Sequence, residues 1–370
     1  MALCDSSSTQ ASTVLDPSPF STCRAAGLGG ALSTLANDVD AIYYNPAGMG
    51  ATGLSGKRND NSMVKAMYFP FAAVSLNQNA GAVRSEFNAQ QAQNDASAGA
   101  AIIDANAGKR QFARASIMPF GLVMGRAAVV PVIDHQLAAV PVGDGTGDVN
   151  LRYRTFSGLL FGASAADTSN KFSLGVSQAY GTIEETSGAF SYVDMVDSYQ
   201  RKKILKNNRA TYAAKSINAG FTLRMPKGAN PAFSLVARNM GNTRNTAKAN
   251  ADEPLVYDED LTMGFSISPE LGHFGRLNFI VEGGYLTQKQ MAARKKLRGG
   301  VELLLGGDTG KSLFGIRAGG TDAGWSAGLH LNLGLIGVEV ESHAIDIGAN
   351  NNRLIERRNS GIVYIDLGSF

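Results

Sequence analysis

The sequence predicts an all-β fold, a 14-stranded antiparallel transmembrane β-barrel with a small N-terminal plug. From about residue 63 onward, apolar and polar residues alternate with a period of two, as in strands with one buried face. The connections between these segments alternate between short and long, which is typical of outer-membrane barrels. No linker divides the chain, although 370 residues would suffice for two ordinary domains.

The composition excludes several other classes of protein. No run of about 18 apolar residues exists, so the sequence contains no transmembrane helix. The mean hydropathy of −0.07 is compatible with a soluble protein or with a barrel whose apolar residues alternate with polar ones. The net charge of +3 is too small to favour nucleic acid, and no basic run is interleaved with aromatic residues. We therefore expect no nucleic-acid partner.

The first 58 residues precede the alternating region. Residues 1–22 are rich in Ser, Thr and Pro and predict a flexible tail. They lack the basic start and apolar core of a signal peptide, so if the protein is exported, we expect its numbering to begin after a signal that has been removed. Residues 23–58 predict a compact plug inside the barrel. Gly27 and Gly29 permit tight turning, but the remaining residues of a nucleotide-binding loop are absent. Asn45-Pro46 ends any preceding helix.

The plug resembles the N-terminal hatch of the outer-membrane long-chain fatty-acid transporter (FadL) superfamily, which includes the PorV-like barrels of type IX secretion. The likeness lies in Gly27-Leu-Gly-Gly-Ala, in Ala36-Asn-Asp-Val-Asp-Ala-Ile-Tyr-Tyr and in Asn45-Pro46-Ala47-Gly48. It implies a 14-stranded barrel closed by this hatch.

Residues 45–48 are the predicted gating turn of the hatch. The amide of Asn45 can bond backbone groups that a short helix leaves unpaired, and Pro46 fixes the turn. Ala47 and Gly48 are small enough to lie against a strand. We expect this turn to hold the hatch closed.

Residues 62–370 form the predicted barrel. Its strands are predicted over 62–78, 112–124, 127–139, 149–165, 171–186, 209–225, 231–240, 258–269, 275–286, 293–306, 312–320, 324–333, 336–346 and 358–370. The long first loop, 79–111, predicts a helix over 86–107 that covers the barrel mouth. Short turns on one side place both chain ends in the periplasm. A soluble sandwich also alternates, but 14 strands would normally divide into two linked domains.

Three prolines fall within the first three predicted strands, at Pro70, Pro119 and Pro131. Proline cannot donate to the strand ladder, so each marks an edge, a bulge or a gap in the wall. In the family that the hatch resembles, a kink in the third strand opens the wall laterally, and Pro131 lies in the third predicted strand. Alternatively, these prolines lie at bulges over the hatch.

Charged residues on the polar faces of the later strands predict an ion-paired lumen. Opposite charges on adjacent strands can satisfy one another, whereas isolated charges are costly to bury. The members of this network are Glu282, Arg298, Glu302, Arg317, His330, Glu339, Glu341 and His343. A hydrolase of the outer-membrane phospholipase type would need a serine in a recognisable motif beside His330 and His343, and the sequence has none. We expect no enzyme activity, no metal and no cofactor.

Two further features concern partners and redox state. Cys4 and Cys23 can form a disulfide in an oxidising periplasm, or can be two unrelated free thiols. The basic run Arg201-Lys-Lys-Ile-Leu-Lys-Asn-Asn-Arg209 can contact lipopolysaccharide phosphates, or can be a solvated loop.

The resemblance implies a protein of the bacterial outer membrane, surrounded by its lipids. The first function that it implies is passive uptake of hydrophobic small molecules, such as fatty acids or aromatic hydrocarbons. The alternative is a PorV-like plugged barrel that anchors a protein partner at the cell surface. An apolar pocket above the hatch would favour transport, and a packed, ion-paired lumen would favour the scaffold.

Overall fold

The computed structural model describes residues 22–51, 64–89, 95–124, 126–225, 228–251, 253–306, 312–348 and 353–366, together with 13, 15 and 16. Most of them form one antiparallel sheet of 17 strand segments. The first segment, β1 (Val64–Asn77), pairs with the last, β17 (Ile355–Asp366), and this pairing closes the barrel. No helix among the described residues is long and apolar enough to cross a membrane.

The remaining segments follow one another around the barrel. They are β2 (Gln111–Met118), β3 (Gly121–Met124), β4 (Ala127–Pro141), β5 (Asp148–Ala166), β6 (Phe172–Ser191), β7 (Arg209–Arg224), β8 (Ala232–Arg238), β9 (Thr243–Ala249), β10 (Leu255–Tyr257), β11 (Asp260–Ile267), β12 (Gly275–Gly283), β13 (Leu297–Leu305), β14 (Phe314–Thr321), β15 (Gly324–Leu333) and β16 (Ile336–Asp346). The helices are α1 (Cys23–Gly27), α2 (Ala41–Tyr44), α3 (Gln78–Ala89), α4 (Ala96–Ala105), α5 (Tyr192–Val196), α6 (Ser198–Asn207) and α7 (Ala293–Lys296), with 3-10 turns at Pro46–Ala51 and Gly272–Phe274.

The barrel has 14 strands once interrupted strands are counted as one. Both β2 and β3 pair with β1 on one side and β4 on the other, so they are two parts of one strand. Likewise β8 and β9 both pair with β7, so they are two parts of one strand. The next strand consists of β10, which pairs with β9, and β11, which pairs with β8. The predicted 14-stranded antiparallel barrel is confirmed.

Several predicted strand limits were wrong. The strand predicted over 231–240 continues as β9 after a break at Asn239, Gly241 and Asn242, which have φ values of 51°, 73° and 55°. Such left-handed residues interrupt the ladder, and the polar sequence of β9 lacks the alternation on which the prediction relied. Its partner strand accordingly begins with β10, before the predicted start at 258. Residues 293–296 form α7 instead of a strand, and the last strand starts at 355 instead of 358.

Alternation along the strands separates an apolar outer surface from a polar interior. On β12, Phe279 and Val281 are exposed, while Asn278 and Glu282 are buried. This arrangement, with apolar residues outside and polar residues inside, is the reverse of that in a water-soluble protein. It recurs around the barrel, because the outer face of a membrane-spanning barrel meets lipid. Exposed apolar residues of the outer face include Leu159, Phe161, Leu174, Val176, Phe265, Leu329, Leu331 and Val340.

The two ends of the barrel differ. At one, the short-connection end, strands are joined by turns such as 167–171 and 334–335; the other, the long-connection end, carries α3 to α7. The predicted first loop contains two helices, α3 and α4, instead of one, and Asp95 caps α4 by accepting from the backbone N–H of Ser97 and Ala98. Phe87 of α3 lies 5.5 Å from Tyr192 of α5, so the first and third long connections contact each other.

Candidate functional site

The N-terminal segment, residues 22–51, lies inside the barrel and consists of short helices and turns. Thr22 caps α1, because its Oγ1 accepts from the backbone N–H of Ala25. Gly29 and Gly30 follow with φ values of 68° and 85°, the left-handed conformation that favours glycine. Gly29 also lies so close to the backbone of Gly320 on β14 that a Cβ would be 2.8 Å from its nitrogen. The segment therefore fits directly against the wall.

Asn45 joins this segment to the wall at the short-connection end of β7. Its Nδ2 donates to the backbone oxygen of Ser33 at 2.7 Å and to Oγ1 of Thr222 at 2.8 Å, and its Oδ1 accepts from the backbone N–H of Ala47 at 3.1 Å. Asn45 and Ala47 are completely buried. Pro46 packs against β6 so closely that a Cβ at Gly175 would overlap its backbone. The predicted gating turn thus lies in the interior, hydrogen-bonded to one strand and packed on the next.

Ion pairs connect the segment to the opposite wall. Arg24 donates to both carboxylate oxygens of Glu302, at 3.1 and 3.0 Å. Arg317 donates to Glu302 at 2.8 Å and to Glu339 at 2.7 Å, and Nδ1 of His330 lies 3.1 Å from Glu339. Burial would lower the pKa of Arg24, but Glu302 and Asp38 raise it above its usual value. One continuous network therefore runs from α1 across β13, β14, β15 and β16.

The other predicted members of the lumenal network form two separate pairs. Arg298 donates to Glu282 at 3.0 Å, and the backbone N–H of Ser33 donates to the same carboxylate. Nδ1 of His343 lies 2.9 Å from Glu341. The eight predicted residues thus occupy three groups, and the largest includes Arg24, which sequence reasoning missed. Its position directly after Cys23, at the start of the hatch-like motif, was the available signal.

A second charged cluster surrounds Asp16, nearer the long-connection end. The carboxylate of Asp16 accepts from Arg358 at 2.8 Å and from Arg114 at 3.2 Å, and its backbone oxygen accepts from Arg154. Burial would raise the pKa of Asp16, but Arg358 and Arg114 lower it to about 2. The neighbouring Leu15 is buried against Phe112 and Ala138. Sequence reasoning did not single out any of these residues.

A pocket of about 20 Å³ lies between this cluster and β4 to β10. Its polar side contains Asp16, Asp134, Gln136 and Arg154. Its apolar side contains Phe156, Ala179, Ile183, Ala214 and Tyr257. The pocket therefore has an apolar wall with charged groups at one side, and as it stands it has room for about one water molecule.

The three strand prolines lie side by side in neighbouring strands. The ladder between β1 and its neighbours shifts between Tyr68 and Phe71, around Pro70. Pro119 separates β2 from β3. Between β4 and these two segments, pairing is absent from Val130 to Val132, the residues on either side of Pro131. The prolines thus share one interruption of the wall that spans three strands.

The interior behind this interruption is apolar. Met118, Val123, Val130 and Val132 are buried and belong to the main hydrophobic cluster of the molecule, together with residues of the N-terminal segment. A molecule entering through the wall at this point would meet apolar side chains first.

The remaining predicted residues lie apart from these sites. Cys23 is buried in α1, where burial raises the pKa of its thiol, whereas Cys4 lies outside the described residues together with the predicted disulfide. The basic run forms most of α6, and Arg209 at its end pairs with Glu184 at 2.9 Å.

No protein-family model matches the sequence, and no curated protein matches it. Solved structures with a similar fold include a deltaS2S3 mutant of the monoaromatic hydrocarbon channel TodX, with a TM-score of 0.52 at 8% identity over 94% of this chain and 98% of that one. The P. putida toluene transporter TodX gives 0.47 at 8% identity, and the Ralstonia pickettii toluene transporter TbuX gives 0.46 at 9%; each match covers 94% of this chain and 97% of the other.

At such low identity the likeness to the TodX mutant shows the fold alone. The chain shares the β-barrel fold of this hydrocarbon channel.

Proposed function

We propose that the protein admits hydrophobic small molecules across the outer membrane by passive diffusion through the side of the barrel. The interruption of the wall at Pro70, Pro119 and Pro131 carries this proposal, because missing ladder bonds lower the cost of separating neighbouring strands. A hydrophobic molecule dissolved in the membrane would enter there and meet the apolar cluster around Val130 and Val132. Monoaromatic hydrocarbons are the first cargo to test, because TodX is a channel for them.

The route inside is consistent with this cargo. The pocket has an apolar side formed by Phe156, Ile183 and Tyr257 and lies on the same side of the barrel as β4; its side chains must move apart to admit such a molecule. The gating turn at residues 45–48 packs on β6 and β7 below it. We infer that movement of this turn controls release toward the short-connection end, and we propose that this end faces the periplasm, since outer-membrane barrels carry their longer loops on the extracellular side.

Restoring the missing backbone donors tests the proposal. In Pro119→Val/Pro131→Val, two N–H groups become able to complete the ladder, and each new hydrogen bond contributes about 0.5–1.5 kcal/mol. Cells of a Gram-negative host carrying this variant should accumulate labelled toluene more slowly than wild-type cells. Pro141→Val is the matched control, because Pro141 lies in the same strand but at its far end, paired with Val149. Equal uptake by all three proteins would refute lateral entry.

The scaffold is the second candidate, favoured by the ion pairs that join Arg24 to Glu302 and the wall beyond it. A rigidly plugged barrel suits an anchor for a protein partner. This function predicts that wild-type cells take up toluene no faster than cells without the protein, and that neither proline variant changes uptake.

A further inference from the structure

We propose that the outer wall of the barrel binds a phosphorylated glycolipid of the outer leaflet through Lys215, Arg244 and Lys248. This site goes beyond the transport function and uses side chains exposed on the outside of the barrel.

The sequence is strongly asymmetric in charge around these residues. From Ser198 to Asn250 the chain contains eleven Lys and Arg residues and no Asp or Glu, although the whole chain has 31 acidic residues. Such a one-signed stretch attracts anions. Because it forms α6, β7, β8 and β9, its charges belong to one side of the barrel.

Strand register brings three of these cations together on the outer face. Lys215 is paired with the exposed Tyr180 of β6, and Arg244 with the exposed Val256 of β10. Ala213 pairs with Thr246, and this register continued by two residues places Lys215 beside Arg244. The backbone N–H of Lys215 donates to the side chain of Asn245, which supports that placement.

Lys248 lies four residues beyond Arg244, about 13 Å along the strand, and is also exposed; the ladder with β7 shifts register beside it, between Thr211 and Tyr212. The patch therefore presents a pair of cations and a third, more distant one. This arrangement suits a headgroup with two phosphates better than a single anion, because Arg and Lys bind phosphate oxygens with charge-assisted hydrogen bonds.

The patch lies at the upper margin of the lipid-facing surface. Below it on the outer face are Ile217 and Leu223 of β7, both exposed and apolar. Tyr180 lies at the level of the patch, as aromatic residues do at membrane interfaces. The long-connection end, toward which Lys248 lies, is the extracellular end of an outer-membrane barrel. The cations thus meet the headgroup layer of the outer leaflet.

The three side chains are also available. They are exposed, and among the residues that the structure describes none of the ion pairs involves Lys215, Arg244 or Lys248. By contrast, Arg238 in the same stretch faces inward and is paired with Asp260. Charge that is left unpaired at a lipid headgroup layer is explained by an anionic lipid.

Native mass spectrometry of the detergent-solubilised protein tests the site, with bisphosphorylated lipid A as the probe. Wild-type protein should retain one lipid A molecule, and K215Q/R244Q/K248Q should bind it at least tenfold more weakly. The matched control is R126Q/K171Q/R276Q, which removes three cations at the short-connection end and should bind as the wild type does; Arg126 and Lys171 are exposed, and Arg276 is half-buried beside Glu270. Lipid A without its phosphates is a second probe, and wild-type protein should bind it more weakly than bisphosphorylated lipid A. This comparison uses wild-type protein alone and therefore does not depend on the folding of any variant.

Equal weakening by both triple variants would overturn the proposal, since net charge alone would then explain binding. Undiminished binding to K215Q/R244Q/K248Q, or equally tight binding of dephosphorylated lipid A, would also overturn it. So would equally tight retention of phosphatidylglycerol, because the site would then recognise any anionic lipid.

Discussion

Removing the positive charge of Arg24 should release the N-terminal segment without unfolding the barrel. In Arg24→Gln, Glu302 loses two hydrogen bonds of 3.0 and 3.1 Å but keeps Arg317 at 2.8 Å and Asn278 at 2.9 Å. Loss of one partner of a buried ion pair costs about 3–5 kcal/mol when the other charge is left alone. Because Glu302 retains two partners, we expect about 2–3 kcal/mol. That energy raises the undocked fraction of the segment about 30- to 150-fold.

Hydrogen–deuterium exchange of the detergent-solubilised protein measures this release. Amides of residues 22–51 should exchange faster in Arg24→Gln, by about the same factor, while amides of β13 to β16 keep their rates. Arg152→Gln is the control. Like Arg24→Gln, it removes one of the two arginines that pair with a carboxylate, because Glu185 stays paired with Arg154. Unlike Arg24, Arg152 does not contact the N-terminal segment. Unchanged exchange of residues 22–51 in Arg24→Gln would refute the docking role of this ion pair.

Four further outcomes are expected. The protein should migrate faster unheated than boiled on denaturing gels, and identical migration would contradict the barrel. The pKa of Asp16 is lowered from 3.8 to about 2, so its contribution to docking of the tail is complete above pH 3.8 and is lost as the pH falls toward 2. Hydrogen–deuterium exchange of residues 13–16 as a function of pH, compared between wild type and Asp16→Asn, checks this. Cys4 and Cys23 should be linked in exported protein, contributing ~3 kcal/mol; alkylation of both thiols under denaturing, non-reducing conditions would exclude it. Replacing Pro46-Ala47 with Gly-Gly should change toluene uptake but not barrel assembly, and an effect on neither would mean that this turn does not gate.

The division between outer and inner faces could be predicted because it depends on neighbouring residues of one strand. Side chains at successive positions point to opposite faces, so placing Phe279 outside places Asn278 and Glu282 inside. The number of strands followed from the same alternation. Prediction failed where the alternation stopped, as in the polar β9, whose strand conformation depends on pairing with β7 and β10.

The contacts within the interior could not be predicted, because they depend on register between strands and on the path of the N-terminal chain. Arg24 and Glu302 are 278 positions apart in sequence, and Asp16 and Arg358 are 342 apart. The three prolines were recognised individually, but their alignment in one interruption requires the pairing of β1, β2, β3 and β4. Alternation within one strand shows which face a residue occupies, but not which residue of a distant segment it contacts.

A polar lumen and a hydrophobic cargo are compatible in this barrel because the interior is divided. The ion-paired network around Glu302 and Arg317 occupies β12 to β16, and the second charged cluster, around Asp16, joins β2, β5 and β17 nearer the long-connection end. The buried apolar side chains of the wall lie mainly on β2 to β7, where the wall is interrupted and where the pocket lies. Ion pairs hold the N-terminal segment to β13, whereas the hydrogen bond from Asn45 to Thr222 and apolar contacts hold it on the other side. Single apolar contacts are weak and are exchangeable for a hydrophobic ligand. Under the proposed function, the charged side therefore anchors the segment, and the apolar side forms the route along which its gating turn gives way.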